Sequence, residues 1–324
     1  MLPAGKSAFV ALLLALTGAA QAQDYPSRPV KVVVPFVAGG GLDGIARVVT
    51  AKLQEELKQP FVIENRAGGA GNVGTAAVAK SPADGYTILM TTIGHTIAPS
   101  LSTNLRYDSI KDFQPLTLLG ETSIVLVVDP KLPIRNVQEL VAWAKANPSS
   151  ANYGSSGVGN PLHLSMEMLM RATGTKFVMV PFTNDAQILT AITQGQLQAA
   201  MTPYSISRGQ MEAGTIRAIA VTGAKRWPPL PDMPTVAEQG VPGYRSDSWH
   251  GMMLPAGTPK DIVEKLYSTI KRLMDSDEDM KKRYSVFGAI PVVNRPEEFA
   301  KRIEDEIAYF KKLTAEIGLK PKDD

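Results

Sequence analysis

The chain has no cysteine among its 324 residues. That excludes disulfides, a cysteine nucleophile, a thiolate metal site and a lipid-anchored N-terminal cysteine in one step. Histidine is nearly as scarce, with only His95, His163 and His250, and these have no metal-ligand spacing, so no metal is expected. Charge of one sign is lacking too. The formal net charge is +3, no Lys/Arg stripe with interleaved aromatics occurs, and no nucleic-acid partner is expected. "GSSG" at residues 154–157 is not a G-x-S-x-G elbow, and no nucleophile–base pair is evident, so hydrolase chemistry has little support. What remains is ordinary for a folded domain: 44% hydrophobic and 20% charged residues.

The first residues carry a strong signal. Lys6 is followed by the apolar "AFVALLLAL", too short to span a bilayer, and then by "AQA", a small-x-small cleavage site. This reads as a secretory signal peptide over residues 1–22, cut after Ala22. No later apolar run reaches the length of about 18 residues that a membrane span needs. The mature chain is therefore expected in the periplasm, exported and soluble.

Apolar β-branched runs then alternate with helical patterns. "PVKVVVPF" reads as a strand, and the helix after it is expected to carry Ile45, Val49, Leu53 and Leu57 on one face with Asp43 as N-cap. "PFVIEN" and "YTILMTT" read as further strands, with the glycine-rich "GGAGNVG" between them. Such alternation means βαβ units and parallel sheets. The rhythm restarts at "IVLVVDP" and includes "NYGS", "KFVMVPF", "LQAAMT" and "IRAIAVTG". The proline-rich stretch 225–244 reads as a surface loop around a short helix. "SWHGMMLPAG" and the two C-terminal helices lack partners of their own and could return to the first unit. The expectation is an α/β protein of two lobes with a cleft between them: residues 23–122 and 249–324 in a discontinuous lobe 1, residues 123–248 in lobe 2.

Gly39, Gly41 and Gly44 match G-x-G-x-x-G, and Glu64 ends the next strand where a ribose-binding acid would sit. Against a dinucleotide site, four residues separate the valine run from Gly39, whereas that fingerprint needs its first glycine at the tight turn. The alternative is a different anion. Helices after parallel strands start at the carboxyl edge of the sheet, with unpaired N–H groups and a partial positive charge. Glycines let an anion approach that backbone closely. The loops at 154–159 and 182–185 could offer the same from the second unit. His163 either donates to a carboxylate or lies on a helix surface.

Several motifs, in matching order and spacing, resemble one family: "YPSRPVKVVVPFVAGGGLDGIAR", "VIENRAGGAGNVGTAAVAKSPADGYTIL", "VTGAKRWPPLPDMPTVAEQGVPGY" and "LPAGTP". The chain is similar to the Bug family, the periplasmic solute-binding receptors of tripartite tricarboxylate transporters. The resemblance spans essentially the whole mature chain. It implies a type II periplasmic-binding-protein fold closing on a small carboxylate, with no catalysis and no cofactor. It implies integral membrane transporter subunits as partners and a monomer as the solution state. One ligand carboxylate would be held at the first two loops, which places Phe36, Ala38, Gly39, Gly40 and Asp43, then Gly68, Gly69, Ala70 and Asn72, at the site, with Thr92. Lobe 2 would select the ligand through Ser155, Ser156, His163, Phe182, Thr183 and Thr202.

Departures from the family pattern fall in lobe 2. "VPFTND" stands where members commonly read "VPYKGS", and Thr202 stands where an aspartate is common. Losing that carboxylate removes a partner for a ligand ammonium and a source of repulsion for a second ligand carboxylate. A dicarboxylate or an aromatic carboxylate is therefore expected rather than an amino acid. Phe36, Phe182 and Tyr204 could flank an apolar ligand body or simply pack. A receptor coupled to a membrane sensor is the alternative role, and an exported enzyme a remoter one.

Overall fold

The structure is a computed structural model, and it describes residues 25–321. The signal-peptide stretch lies outside these residues. Among the described residues, eleven strands form two sheets. The first holds β1 (Val30–Val34), β2 (Phe61–Asn65), β3 (Thr87–Thr92), β4 (Phe113–Thr122), β10 (Ser248–Pro255) and β11 (Ala289–Pro291), in the order β11-β4-β10-β3-β1-β2. The second holds β5 (Ile124–Val128), β6 (Asn152–Ser155), β7 (Val178–Pro181), β8 (Ala199–Pro203) and β9 (Arg217–Val221), in the order β7-β6-β8-β5-β9. Leaving β11 aside, the two orders are the same pattern. In each, three parallel strands are followed by one that enters from the other sheet and runs antiparallel to both neighbours: β10 in the first and β5 in the second.

Strand register decides where a ligand can sit. His250, near the start of β10, pairs with Thr92 at the end of β3. Ile124, at the start of β5, pairs with Pro203 at the end of β8. The carboxyl ends of β3 and β8 therefore both lie where the chain crosses between sheets. β1 and β2 run parallel to β3, and β6 and β7 run parallel to β8. The carboxyl edges of both parallel sets thus point at the crossovers and face each other. This is the edge at which open α/β sheets bind ligands.

Ten helices pack on these sheets: α1 (Gly41–Leu57), α2 (Asn72–Ala79), α3 (Gly94–Leu101), α4 (Val137–Ala146), α5 (Pro161–Thr173), α6 (Asp185–Thr193), α7 (Tyr204–Glu212), α8 (Lys260–Ser276), α9 (Glu278–Val286) and α10 (Pro296–Glu316). In α1 the predicted stripe is real: Ile45, Val49 and Leu53 are fully buried against the first sheet. The helix stops at Lys58, whose left-handed φ of 56° ends the hydrogen-bond ladder. "SWHGMMLPAG" does return to the first unit, as β10, and its Trp249 is buried edge-to-face on Phe299 of α10 at 5.2 Å. A Cβ on Gly251 would lie 2.6 Å from the Phe299 ring, so only glycine lets α10 seat this closely.

Two local expectations fail. The N-cap of α1 is Gly40, not Asp43. Asp43 lies in the first turn instead, and its carboxylate reaches back to the Gly39 N–H. The proline-rich stretch 225–244 holds turns and a single bridge, Val221–Thr235, rather than a short helix. Prolines at 228, 229, 231 and 234 leave no run long enough for a helical turn to propagate.

Candidate functional site

In lobe 1 the chain leaves β1 and β2 through glycine-rich loops and enters α1 and α2 with no side chain capping either helix. Their N-caps are Gly40 and Gly71, which have no side chain to offer. The first N–H groups of α1 are thus held open at the sheet edge, where they favour an anion, whereas those of Asn72 and Val73 at the start of α2 donate to the Gly69 and Gly68 carbonyls. The second loop is wound tightly. Gly68, Gly69, Ala70 and Gly71 have φ of 138°, 53°, 52° and 102°. Ala70 carries this positive φ with a Cβ, at a cost of about 1–2 kcal/mol. Successive residues of this kind turn backbone N–H groups toward a common point.

Asp43 shapes the first loop. Only 3% of its side chain is exposed. One carboxylate oxygen accepts from the Gly39 N–H at 3.0 Å and Arg47 Nε at 2.9 Å. The other accepts from Asn65 Nδ2 at 2.9 Å and Arg47 at 3.2 Å. Asn65 also donates to the Phe36 carbonyl, tying the end of β2 to the first loop. Burial pushes the Asp43 carboxyl up, but the hydrogen bonds from Arg47, Gly39 and Asn65 outweigh it and hold it below the usual range. The carboxylate is a brace for the glycine loop, with its lone pairs engaged.

A shallow pocket brings the two loops together. It is lined by Phe36, Ala70, Gly71, Asn72, Thr92 and Gly94, with His95 and Tyr107 behind them. The Tyr107 hydroxyl donates to Asn72 Oδ1 at 2.8 Å, and Thr92 Oγ1 accepts from the Gly94 N–H at 3.2 Å. The sequence reading missed Asn65, Arg47, His95 and Tyr107. Asn65 and Tyr107 come from distant parts of the chain and no local motif marks them, while Arg47 is the i+4 partner of Asp43 on the same helix, a spacing the sequence did show. Of the predicted residues, Phe36, Ala70, Asn72 and Thr92 meet in this pocket, while Ala38, Gly39, Gly40, Gly68 and Gly69 are exposed on the loops beside it.

Lobe 2 is built differently. Its two helix ends each carry an asparagine N-cap, which takes the third N–H of the helix and leaves the earlier ones unpaired. Asn160 Oδ1 accepts from the His163 N–H at 2.7 Å at the start of α5. Asn184 Oδ1 accepts from the Gln187 N–H at 3.0 Å at the start of α6.

His163 fits neither of its two readings. It is 5% exposed, so it is not a helix-surface residue. Its Nδ1 accepts from the Gly159 N–H at 3.1 Å, which puts the proton on Nε2, and Nε2 faces Glu167 Oε1 at 3.6 Å. Burial lowers its pKa and keeps the ring neutral. The ring supports the 154–159 loop from below instead of donating to a carboxylate in the cleft. Ser155 is also buried, donating to the Gly157 carbonyl at 3.1 Å. Ser156 donates to Asp185 Oδ1 at 2.6 Å. Phe182 is half-buried against the lobe 2 core, and exposed Thr183 donates to Gln187 Oε1 at 2.7 Å. Thr202 on β8 is fully buried and its hydroxyl has no partner among the described residues.

The lobes touch at the cleft rim. A Cβ on Gly159 would lie 2.4 Å from Leu101 at the end of α3, and one on Gly288 would lie 3.2 Å from Ser205 of α7. The ribose-acid reading of Glu64 fails on geometry, since its carboxylate pairs with Arg66 at 2.6 Å and Lys31 at 3.0 Å. Gly44 serves packing instead, as a Cβ there would meet the Phe287 ring at 2.2 Å. Among the described residues no acidic or histidine cluster could hold a metal ion.

Two lobes with opposed carboxyl edges and glycine-rich loops between strand and helix are the architecture of a two-lobed solute receptor. The chain matches the family model described as "Tripartite tricarboxylate transporter family receptor" over residues 45–319, and it belongs to that family. It is 32% identical to protein BugT of Bordetella pertussis over 320 residues, covering 97% of this chain and 98% of that one. Among solved structures, R. palustris Rpa4515 with adipate is 37% identical with a TM-score of 0.79, covering 92% of this chain and 100% of that one. MatC (Rpa3494) from Rhodopseudomonas palustris with bound malate is 31% identical with a TM-score of 0.72, covering 89% and 99%. These relatives are binding proteins, and the family is one of receptors rather than enzymes.

Proposed function

We propose that the protein is an exported receptor that binds a small carboxylate between its lobes and delivers it to the integral membrane subunits of a tripartite tricarboxylate-type transporter. The observation that carries this is the uncapped, glycine-led start of α1 and the tightly wound loop at 68–71, which meet beside Thr92 at a sheet edge that faces the other lobe. One ligand carboxylate sits against Phe36, Ala38, Gly39 and Gly40 and against Gly68, Gly69, Ala70 and Asn72, where backbone N–H groups neutralise it without a lysine or arginine. Lobe 1 comprises residues 23–122 and 249–324, lobe 2 residues 123–248, and the segments 122–124 and 246–248 are the hinge. Ser156, Phe182, Thr183 and Thr202 form the selecting side. Dicarboxylates and aromatic carboxylates come first among candidate ligands, which the adipate and malate bound by relatives support. Cleavage after Ala22 releases the chain into the periplasm.

Thermal unfolding of the mature protein against a panel tests the reading. The panel holds C4–C6 dicarboxylates, citrate, acidic amino acids, nicotinate and phthalate isomers, with NAD as control. A carboxylate at about 100 times its Kd adds about 2.7 kcal/mol, several degrees for a chain of this size. A shift with NAD alone overturns the proposal.

A further inference from the structure

The side-chain donors of the loops at 155–160 and 182–185 are engaged within the protein, while the Thr202 hydroxyl on β8 has no partner among the described residues. Ser156 donates to Asp185, Ser155 to the Gly157 carbonyl and Thr183 to Gln187. Asn160 Nδ2 donates to Ser156 Oγ at 3.1 Å. What the edge does offer is one charge. Within residues 155–160 and 182–185 the only ionisable side chain is Asp185. It opens α6, where the helix start favours a carboxylate. The 2.6 Å bond from Ser156 fixes its Oδ1 and ties the β6 loop to the β7 loop across 29 residues of chain. Oδ2 has no partner among the described residues.

We propose that Asp185 is the specificity-determining residue of the cleft: its free oxygen accepts a hydrogen bond from a hydroxyl on the ligand, so the receptor prefers a hydroxy-substituted carboxylate to the unsubstituted one of equal length. This rests on the carboxylate-receptor reading. A ligand carboxylate placed directly against Asp185 meets a like charge. A hydroxyl meets an ionised acceptor, whose hydrogen bonds are about twice as strong as neutral ones.

Calorimetric titration of the mature protein and Asp185→Asn with matched pairs, malate against succinate and 2-hydroxyadipate against adipate, tests this. The wild type should favour the hydroxylated member by about tenfold. Asp185→Asn should lose that preference and gain several-fold affinity for the unsubstituted member, a gain that misfolding cannot produce. An unchanged ranking in the variant overturns the proposal, as does a wild type that binds only aromatic carboxylates. Aspartate binding more tightly than malate would overturn the hydroxyl preference and make the donor an ammonium. A wild type silent to every carboxylate would sink the receptor reading itself, so the two failures are separable.

Discussion

Asp43→Asn is the sharpest test of how lobe 1 is built. The substitution keeps size and shape but leaves one acceptor oxygen in place of two charged ones. In the native protein those oxygens take bonds from Gly39, Arg47 and Asn65, and the side chain is 3% exposed. Hydrogen bonds to a charged group are worth about 1.5–3 kcal/mol each. The Arg47 share must be discounted, because that side chain is 58% exposed and water replaces its partner. What remains is the Gly39 and Asn65 bonds, one of which the amide oxygen can keep, for a net loss of about 2 kcal/mol. For a chain of this length that corresponds to a Tm lower by about 3 °C. The carboxyl's pKa is depressed in the folded state, so its contribution is complete above the unfolded value of 3.8 and is lost as pH falls below that. Thermal unfolding of wild type and variant at pH 7 and pH 3 should show the gap at pH 7 and its narrowing at pH 3. Carboxylate affinity should fall at least tenfold, since Gly39 and the Phe36 carbonyl lose their shared brace. An unchanged Tm and unchanged affinity at pH 7 would refute the reasoning.

Three further outcomes are expected. Gly74→Ala should cost about 1–3 kcal/mol, because its Cβ would lie 2.7 Å from the Arg66 carbonyl and 2.9 Å from Pro35 Cα, and backbone cannot step aside; chemical denaturation measures it. His95 and His250 are fully buried, and burial pushes both down to about 4, the Ser109 carbonyl opposing this only in part at His95. The unfolded chain therefore takes up their protons first, and stability should fall from pH 6.5 to about 4 by up to about 1.4 kcal/mol per pH unit for each histidine; His250→Gln should flatten the slope in that window. Thr202→Asp should weaken binding of a dianion by about tenfold through like-charge repulsion, and an affinity unchanged by titration would remove Thr202 from the site.

The lobe 1 cradle was legible because its working parts are glycines, and a glycine run after a strand declares itself in one dimension. The brace beneath it was not. Asn65 reaches Asp43 across 22 residues and Tyr107 reaches Asn72 across 35, and only the folded chain makes those pairs. The parallel strands and the return of "SWHGMMLPAG" were readable from apolar runs that had to find partners. The helix boundaries were less so, since Asp43 scores as an N-cap by residue type yet works from inside the helix.

Lobe 2 misled in a more instructive way. Its glycine and serine loops look like those of lobe 1, but Asn160 and Asn184 each sit one residue before a helix and cap it. That signal was present, because asparagine is a strong N-cap. Each cap takes only the third N–H of its helix, so the helix end keeps unpaired donors beside the side chains of the loop. The hydroxyls of Ser155, Ser156 and Thr183 all point at protein acceptors. On the proposed reading the two lobes divide the work: the glycine loops of lobe 1 would hold any carboxylate, and Asp185 in lobe 2 would decide which one stays.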